Sequence, residues 1–520
     1  MLHRRLLLLA GLLAVQVLIS LPRLNKPFLD GRAHWDIDSA GFLLRAIHSQ
    51  EPSRRGPLDV FGLKRFEYGA DGEVASAKHY AHHPVLPSLL FNACTRLTGY
   101  GFWAPRSFSL LFSLLTTALV FLLLLRAADD PLLAFAATLL HLLLPLYYNY
   151  QDAWKHEVLV SFFTWAVLLC LYELERPTAR RLFPVLFFLL FQAGWAAYPM
   201  GAAILAYLRW VRRDALAPRA LAVAAASAAL NVLLLHALGA DAAGMRAQAV
   251  LRMNSGLESV SLSAWAGNQL AFAGSNFGWG ALAAACACLA YALARFRRRA
   301  HALTLFGGMA ALSALAWVCV FRNQSHIHHY VQWLAGAAPP LAVLGLYCSL
   351  REKTARPARL RASALALLLA LCAVSLNGGR RLEALIHEGT FATPQDVRAV
   401  ADETRRLVVF LDGTSGPKDW WISPVLSLYT DPYYKAGRLG LPRARVRGTL
   451  VFADSSHPML EDSDVLVTLN DAGTLRRALR AAGSVDARRC LRISAFTPVF
   501  AFLSPRRGAE CRNSALLSAS

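Results

Sequence analysis

The stretch Arg106-Ser-Phe-Ser-Leu-Leu-Phe-Ser-Leu-Leu-Thr-Thr-Ala-Leu-Val-Phe-Leu-Leu-Leu-Leu-Arg126 has no charged residue between its terminal arginines. A helix of about 20 apolar residues can cross the hydrocarbon core of a membrane. Comparable apolar runs lie on both sides, at 6–21, 132–150, 158–174, 182–198, 199–211, 219–239, 277–296, 302–321, 331–350 and 361–377. The sequence therefore predicts an α-helical polytopic membrane protein with about eleven transmembrane helices. Residues 182–211 fit either a tight helical hairpin or one bent helix.

The composition also favours a lipid environment. Of the 520 residues, 56% are hydrophobic and only 17% are charged, whereas about a quarter are charged in soluble domains. The net charge of +21 would suit a nucleic-acid partner. However, the arginines form short clusters between apolar runs, which is the pattern of cytoplasmic loops under the positive-inside rule. We therefore expect membrane lipid, and no nucleic acid, as a partner.

The distribution of arginine and lysine predicts the orientation of the chain. Connections rich in these residues lie at 126–131, 175–181, 209–219, 295–301 and 351–361, and the connections between them are poor in both, apart from the long first loop. Short cytoplasmic loops carry the excess of positive charge. The sequence thus predicts a multi-pass protein of the cell (inner) membrane, with a cytoplasmic N-terminus that serves as an uncleaved anchor.

Two domains are predicted: a transmembrane domain, 1–378, and an extracytoplasmic C-terminal domain, 379–520. The first outer loop, 22–105, belongs to the transmembrane domain and contains amphipathic helices. The tail alternates helical and β-rich segments, which predicts a small α/β domain. The helical segments are Thr393–Arg405 and Thr474–Ala482, and the β-rich segments are Leu407–Leu411, Thr449–Phe452 and Val465–Leu469. Cys490 and Cys511 could form a disulfide or stay free thiols.

An acidic pair, Asp36 and Asp38, opens an amphipathic helix shortly after the first predicted span. Carboxylates at a helix N-terminus bind free backbone N–H groups, so helix capping alone can explain the pair. Ionisable groups near a membrane also mark functional sites. The sequence leaves both explanations open.

Two further ionisable clusters lie at the outer ends of predicted spans. The first consists of Asp152, Lys155, His156 and Glu157, and the second of Arg322, His326, His328, His329 and Tyr330. The first fits either a solvated helical hairpin or a site for an anion or metal. The second could bind a phosphate, or His326 and His329 could ligate a metal, although their spacing matches no specific metal motif.

Five segments in order resemble motifs of GT-C glycosyltransferases of the aminoarabinose-transferase and protein-mannosyltransferase type. They are Asp38-Ser-Ala-Gly-Phe42, His82-His-Pro-Val-Leu-Pro-Ser-Leu-Leu90, Gly99–Phe102 with Ala104-Pro-Arg-Ser-Phe108, Tyr147–Phe163 and Tyr330–Leu341. The first resembles an acidic-x-Ala-x-aromatic motif of the first outer loop, and the second a His-Pro-Pro-Leu segment. The order and spacing of the segments carry the resemblance, which covers roughly residues 20–350.

The resemblance implies a GT-C-like bundle and an inverting hexosyl or pentosyl transferase. The enzyme would move a sugar from a polyprenyl-phosphate-linked donor to an extracytoplasmic lipid, glycan or protein acceptor. Asp38 would be the catalytic base, with Asp36 as helper. The candidates for binding substrate or phosphate are Lys155, Glu157, Asp152, His83, Arg322, His326, His328, His329 and Tyr330. The cofactor stays open: a divalent cation would have Asp38, Glu157 and His329 as candidate ligands.

The alternative function is a transporter or flippase for a lipid-linked glycan. Secondary transporters contain paired repeats and broken helices near the midplane, and no internal repeat is evident in the sequence. His141 and His236 are the main ionisable candidates inside predicted spans. An outer-face cavity with convergent ionisable groups would favour the enzyme, and a polar path across the bilayer would favour transport.

Overall fold

A computed structural model of the chain describes residues 2–28, 36–68, 74–80, 83–239, 242–253, 261–296, 301–387, 394–411, 424–453, 465–469, 478, 490–496 and 500–506. The chain forms two compact units. The first comprises Met1–Leu24, Tyr80–Leu90 and Arg106–Ile386, and the second Asn25–His79, Phe91–Pro105 and His387–Ser520. Cys511, Thr393 and the predicted helix Thr474–Ala482, except Ala478, lie outside the described residues.

Helices in the first unit coincide with the predicted apolar runs. They are Leu2–Ser20, Trp103–Ala128 (from Arg106 onward), Pro131–Leu143 with Pro145–Tyr150, His156–Tyr172, Pro177–Ala193, Ala197–Ala206 with a π-helix Tyr207–Arg212, Leu216–Ala237, Trp279–Phe296, Ala302–Val320, a 3-10 helix His329–Ala337 with Ala338–Arg351, and Pro357–His387. Further helices, not among the predicted spans, are Ala242–Met253, Leu262–Phe277 and Arg322–Ile327. Residues 182–211 therefore contain two helices with a break at Gly194.

Six helices in the described part of the chain are long and apolar enough to cross a membrane. They are Leu2–Arg23, Trp103–Ala128, Leu216–Ala237, Ala302–Val320, His329–Arg351 and Pro357–Ala384. The helices Leu262–Phe277 and Trp279–Arg295 would add a seventh span, but they are bent by 100°. Gly278, between them, has a φ of +77°, a conformation that glycine adopts without steric cost. The number of eleven crossings stays a prediction.

Close helix packing positions one of the segments that carries site residues. The helices Ala302–Val320 and Ala338–Arg351 approach each other at Gly345, where a Cβ atom would lie 2.6 Å from the backbone nitrogen of Thr304. A glycine here allows the two backbones to approach closely, as in other membrane helix pairs. This contact anchors the helix that follows directly from the 3-10 helix His329–Ala337.

The second unit contains seven described strands: β1 (Lys64–Tyr68), β2 (Val74–His79), β3 (Leu407–Leu411), β4 (Thr449–Ala453), β5 (Val465–Leu469), β6 (Cys490–Phe496) and β7 (Phe500–Arg506). The first two form an antiparallel hairpin, and the others form one sheet in the order β4-β3-β5-β7-β6. β3 pairs in parallel with β4 and β5, whereas β7 is antiparallel to β5 and β6. β3, β4 and β5 coincide with the three predicted β-rich segments.

A buried hydrogen-bond network in this unit centres on Asp431, the N-cap of the helix Pro432–Leu439. Its Oδ1 accepts from the backbone N–H groups of Tyr433 and Tyr434, both at 2.9 Å. Its Oδ2 accepts from His48 at 2.7 Å and from the hydroxyl of Tyr68 at 2.5 Å. The network therefore ties this helix to β1 and to the helix Ile37–Gln50.

The protonation of this network follows from its geometry. Nδ1 of His48 accepts the N–H of Phe66 at 2.9 Å, so Nε2 carries the proton that is donated to Asp431. Burial by itself would raise the pKa of Asp431, but His48 and Tyr68 stabilise its charge and hold the pKa below its usual range.

Candidate active site

Lys155 occupies the N-cap position of the helix His156–Tyr172, where the backbone is extended. Its side chain is fully buried. The Nζ atom lies 3.8 Å from the ring centroid of Tyr330 and 5.5 Å from that of Tyr150. Aromatic faces attract ammonium groups, by up to about 2 kcal/mol when the pair is desolvated. The two ring faces therefore fix the position of the Lys155 Nζ atom.

His329 lies beside this lysine and shares one of its aromatic neighbours. The hydroxyl of Tyr150 and Nε2 of His329 are 3.0 Å apart. The side-chain amide of Asn276 donates to the carbonyl of His329 at 2.7 Å and so fixes the backbone there. The ring of His328 lies 5.2 Å from that of Tyr330. The structure thus brings four predicted residues together: Lys155, His328, His329 and Tyr330.

Asp152 lies in the same inter-helix segment and is fully buried between two arginines. Its Oδ2 is 3.5 Å from Nε of Arg23 and 3.8 Å from Nη1 of Arg106. Arg23 also donates to the carbonyls of Tyr148, at 2.8 Å, and Asn149, at 3.2 Å. Two guanidinium groups therefore flank the carboxylate of Asp152, three residues before Lys155 in the sequence.

His83 belongs to a third cluster in the first unit. Its ring stacks on that of His156 with a centroid distance of 4.3 Å. Nη2 of Arg252 is 3.2 Å from Nε2 of His83. Because a guanidinium can only donate, this imidazole nitrogen accepts. The cluster is thus an arginine directed at a pair of stacked imidazoles.

The remaining predicted residues of this unit are Glu157, His326 and Arg322. Glu157 is half-buried in the first turn of the helix His156–Tyr172. His326 pairs with Asn268, whose Nδ2 is 3.3 Å from its Nδ1 and 3.1 Å from its carbonyl. Arg322 is exposed and begins the helix Arg322–Ile327.

Asp36 and Asp38 lie in the second unit, at the start of the helix Ile37–Gln50. Asp36 is its N-cap and is fully buried, and Asp38 is half-buried in the first turn. Within the described range 36–68, the Asp36 side chain makes no capping hydrogen bond to the helix. Simple capping therefore does not account for Asp36, and the role of the pair stays a prediction.

Three arginines of these clusters, Arg23, Arg106 and Arg252, were not among the predicted site residues. The available signal was their position. Arg23 and Arg106 lie at the predicted outer ends of apolar runs, and Arg252 lies in an outer connection that is poor in arginine and lysine. An outer arginine that is buried or half-buried is therefore informative in such a chain.

The described residues contain no group of three or more His, Cys, Asp or Glu side chains that could hold a metal ion. Glu157 and His329, two of the candidate ligands, belong to the first unit, and Asp38 belongs to the second. The metal dependence stays open.

The helical bundle defines a multi-pass membrane protein, and comparison with solved structures gives its fold class. No protein-family model matches the sequence, and no curated protein matches it. The structure of ArnT from Cupriavidus metallidurans bound to undecaprenyl phosphate is similar with a TM-score of 0.52, 13% sequence identity and coverage of 95% of this chain and 97% of that chain. For the apo state of that protein the TM-score is 0.50, with 14% identity and the same coverage. The chain therefore has the GT-C fold, as the sequence predicted.

Proposed function

We propose that the chain is a GT-C glycosyltransferase that moves a sugar from a polyprenyl-phosphate donor to an extracytoplasmic acceptor, as part of a cell-envelope glycan pathway. The observation that carries this proposal is the buried ammonium of Lys155, held by Tyr330 and Tyr150 next to His329. It lies in a chain whose fold resembles that of ArnT, a protein crystallised with undecaprenyl phosphate. A sugar linked to a phosphate needs cationic groups that bind the phosphate.

Lys155 and His329 act on the departing phosphate in this proposal. When the bond between the anomeric carbon and the phosphate oxygen breaks, negative charge grows on that oxygen. Fixed donors in a site of low dielectric stabilise such charge more strongly than water does. A lysine whose position is set by two aromatic rings needs little reorganisation to do so. Arg252, which donates to His83, supplies a further guanidinium that can bind the donor.

Asp38 acts as the general base. An acceptor hydroxyl attacks the anomeric carbon from the face opposite the phosphate, and Asp38 takes its proton. The new carbon–oxygen bond has the inverted configuration, and polyprenyl phosphate leaves. Asp36, which is fully buried two residues earlier, assists as a neighbouring carboxylate. The assignment rests on the resemblance of Asp38-Ser-Ala-Gly-Phe42 to the family motif.

The topology proposed with this function is that of an inner-membrane protein with eleven spans. Its N-terminus is cytoplasmic, and residues 379–520 form an extracytoplasmic α/β domain. The alternation of arginine-rich and arginine-poor connections supports this orientation. The first outer loop then lies on the same side of the membrane as the C-terminal domain.

The test is sugar transfer by the purified chain in nanodiscs that contain a radiolabelled polyprenyl-phosphate sugar and an extract of envelope acceptors. Asp38→Asn preserves the side-chain volume and removes the base, so we expect transfer to fall by roughly 10²–10⁴-fold. The matched control is Glu67→Gln, an exposed carboxylate in the same loop, which should retain wild-type transfer.

If Asp38→Asn transfers sugar as fast as the wild type, the assignment of the base is wrong. If the wild type moves the intact lipid-linked sugar across the bilayer but transfers none of it, the chain is a flippase and not an enzyme.

A further inference from the structure

A cleft in the second unit is lined in part by arginines of the first outer loop. That loop is the predicted outer connection in which arginine is not scarce. The volume of the cleft is about 330 Å³, within the range of about 300–1,000 Å³ of small-molecule sites. The residues that matter among its lining are Gln50, Glu51, Arg55, Arg96, Tyr100 and Tyr433. All of them belong to the second unit.

The lining has more positive than negative charge. Arg55 and Arg96 are both exposed, and the guanidinium of Arg443 lies 4.9 Å from the ring centroid of Tyr433. The acidic residue of the lining, Glu51, already accepts hydrogen bonds from the backbone N–H of Ser53, at 3.3 Å, and from its hydroxyl, at 2.8 Å. The guanidinium groups therefore dominate the chemistry of the cleft.

The walls of the cleft are held by hydrogen bonds. The side-chain amide of Gln50 donates to Oδ1 of Asn92 and Oγ1 of Thr95, both at 2.9 Å, and its Oε1 accepts from the hydroxyl of Tyr100 at 3.0 Å. Arg55 donates to the carbonyl of Gln50 at 3.2 Å. A ligand would therefore meet a largely pre-ordered site, which reduces the entropic cost of binding.

We propose that this cleft binds an anionic saccharide, the part of the acceptor that does not react. Planar guanidinium groups match the geometry of carboxylates and phosphates. Tyrosine offers an apolar ring face for the C–H face of a sugar and a hydroxyl for its polar edge. An arginine pair with two tyrosines is therefore suited to a sugar that carries an acidic group.

The position of the cleft separates it from the proposed base. Asp38 and Gln50 lie near opposite ends of the helix Ile37–Gln50, so they are about 18 Å apart at ~1.5 Å of rise per residue. The cleft cannot hold the reacting hydroxyl. It contributes binding energy from a remote part of the substrate, which can be used for orientation at the reacting carbon. This inference rests on the proposed transferase function.

The test is direct binding to the full-length chain in phosphatidylcholine nanodiscs. The soluble arm compares cellotriose with its C6-oxidised triuronate by saturation-transfer NMR. The lipid arm compares nanodiscs doped with glucosyl or glucuronosyl diacylglycerol by native mass spectrometry. We expect the acidic member of each pair to bind more tightly. Tighter binding of the acidic ligand in the soluble arm would identify a free glycan as the ligand. Tighter binding in the lipid arm would identify a lipid headgroup.

The variants locate the site. Arg55→Gln with Arg96→Gln should weaken binding of the acidic probe by roughly tenfold or more, because each charge-assisted bond is lost, and should leave the neutral probe unaffected. Arg65→Gln, an exposed arginine of β1 outside the lining, is the matched control. In the wild type, added salt should weaken binding of the acidic probe, which gives a readout independent of any variant's folding.

Equal binding of acidic and neutral probes to the wild type, or an equal loss in Arg65→Gln, would overturn the inference. Probe binding and sugar transfer, both measured on Asp38→Asn, distinguish failure of the proposed transferase function from failure of the proposed cleft. Selective binding by a variant that also transfers sugar normally would refute Asp38 as the base and leave the cleft intact. Transfer that depends on Asp38 without selective binding would refute the cleft alone.

Discussion

Two buried carboxylates, Asp431 and Asp152, are held in opposite ways. Asp431 accepts four hydrogen bonds of 2.5–2.9 Å from His48, Tyr68 and two backbone N–H groups. Asp152 has arginine nitrogens at 3.5 and 3.8 Å, and its oxygens make no hydrogen bond to other described residues. Both are buried, with exposed fractions of 3% for Asp431 and 0% for Asp152. Only the first has the short, complete bonding of a structural polar network.

The difference indicates what each region is built for. A buried carboxylate with every lone pair used fixes one conformation, and Asp431 joins the helix Ile37–Gln50, β1 and the helix Pro432–Leu439. A carboxylate between two arginines at long distance leaves the local geometry adjustable. Asp152 lies three residues before Lys155, which we place in the substrate site. We therefore expect changes near Lys155 to affect activity and changes near Asp431 to affect stability.

Between the Asp152–Lys155 region and the Asp431 network, the largest expected effect is on Lys155. Replacing it with Met preserves the length of the side chain and removes the charge, so sugar transfer should fall by about 10²–10³-fold, the usual cost of losing one donor to a developing anion. Transfer is measured in nanodiscs with a polyprenyl-phosphate sugar, normalised to folded protein by its thermal transition.

A second buried lysine provides the matched control. Lys435 is also fully buried, donates to the carbonyl of Glu403 at 3.0 Å, and has its pKa lowered by burial to about 8. Lys435→Met should leave transfer per folded molecule near the wild-type value. Equal losses in both variants would mean that Lys155 has only a structural role.

A smaller effect, on stability, is expected for Asp431→Asn. The amide cannot accept from both His48 and Tyr68 as a charged carboxylate does, and a broken buried pair costs about 3 kcal/mol. Hydrogen exchange followed by mass spectrometry should show faster exchange in the helix Ile37–Gln50 and in β1. Asp402→Asn, at a half-exposed carboxylate, should show no increase in hydrogen exchange. An Asp431→Asn protein with wild-type exchange and reduced transfer would reverse the comparison.

The pH dependence of the same network gives the next prediction. The pKa of Asp431 is lowered in the folded chain, so its contribution to stability is complete above its unfolded pKa of about 3.9. The contribution is lost as the pH falls through the folded pKa. The difference in exchange between wild type and Asp431→Asn should be constant from pH 7 to 5 and should shrink below about pH 4. A difference that already shrinks between pH 7 and pH 5 would contradict this role of the Asp431 carboxylate.

The smallest effect is expected at the surface. Lys78 and Glu67 form an ion pair at 2.8 Å, but their side chains are 71% and 48% exposed. Solvent screens such pairs and many contribute nothing measurable. Glu67→Gln should leave exchange in the β1–β2 hairpin unchanged at ordinary salt. A clear increase in hydrogen exchange would mean that the length of the bond, and not its burial, determines how much each pair contributes to stability.

Local pattern explains how far the sequence could predict the fold. Apolar runs and β-rich segments coincide with helices of the first unit and with β3, β4 and β5, because each pattern lies within one element. The helix Leu262–Phe277 was not predicted as part of a span because Asn268, Gln269 and Asn276 interrupt its apolar character. Those residues bond to His326, Ser325 and His329.

Long-range pairings account for what the sequence could not predict about the site. The His48–Asp431 bond joins residues 383 positions apart, and Arg23 meets a segment more than 120 positions away. No spacing rule connects such residues in a single sequence. Lys155, His328, His329 and Tyr330 could be predicted as candidates because ionisable groups are rare at the ends of apolar runs.

If the chain is the proposed glycosyltransferase, it transfers a single sugar and requires Asp38. The most direct measurement is mass spectrometry of envelope glycolipids, glycans and glycoproteins from cells that lack the gene, complemented with the wild type or with Asp38→Asn. We expect one species to lose a single hexose or pentose mass without the gene, and we expect the wild type, but not Asp38→Asn, to restore this mass. Identical profiles in all strains, or full restoration by Asp38→Asn, would contradict it.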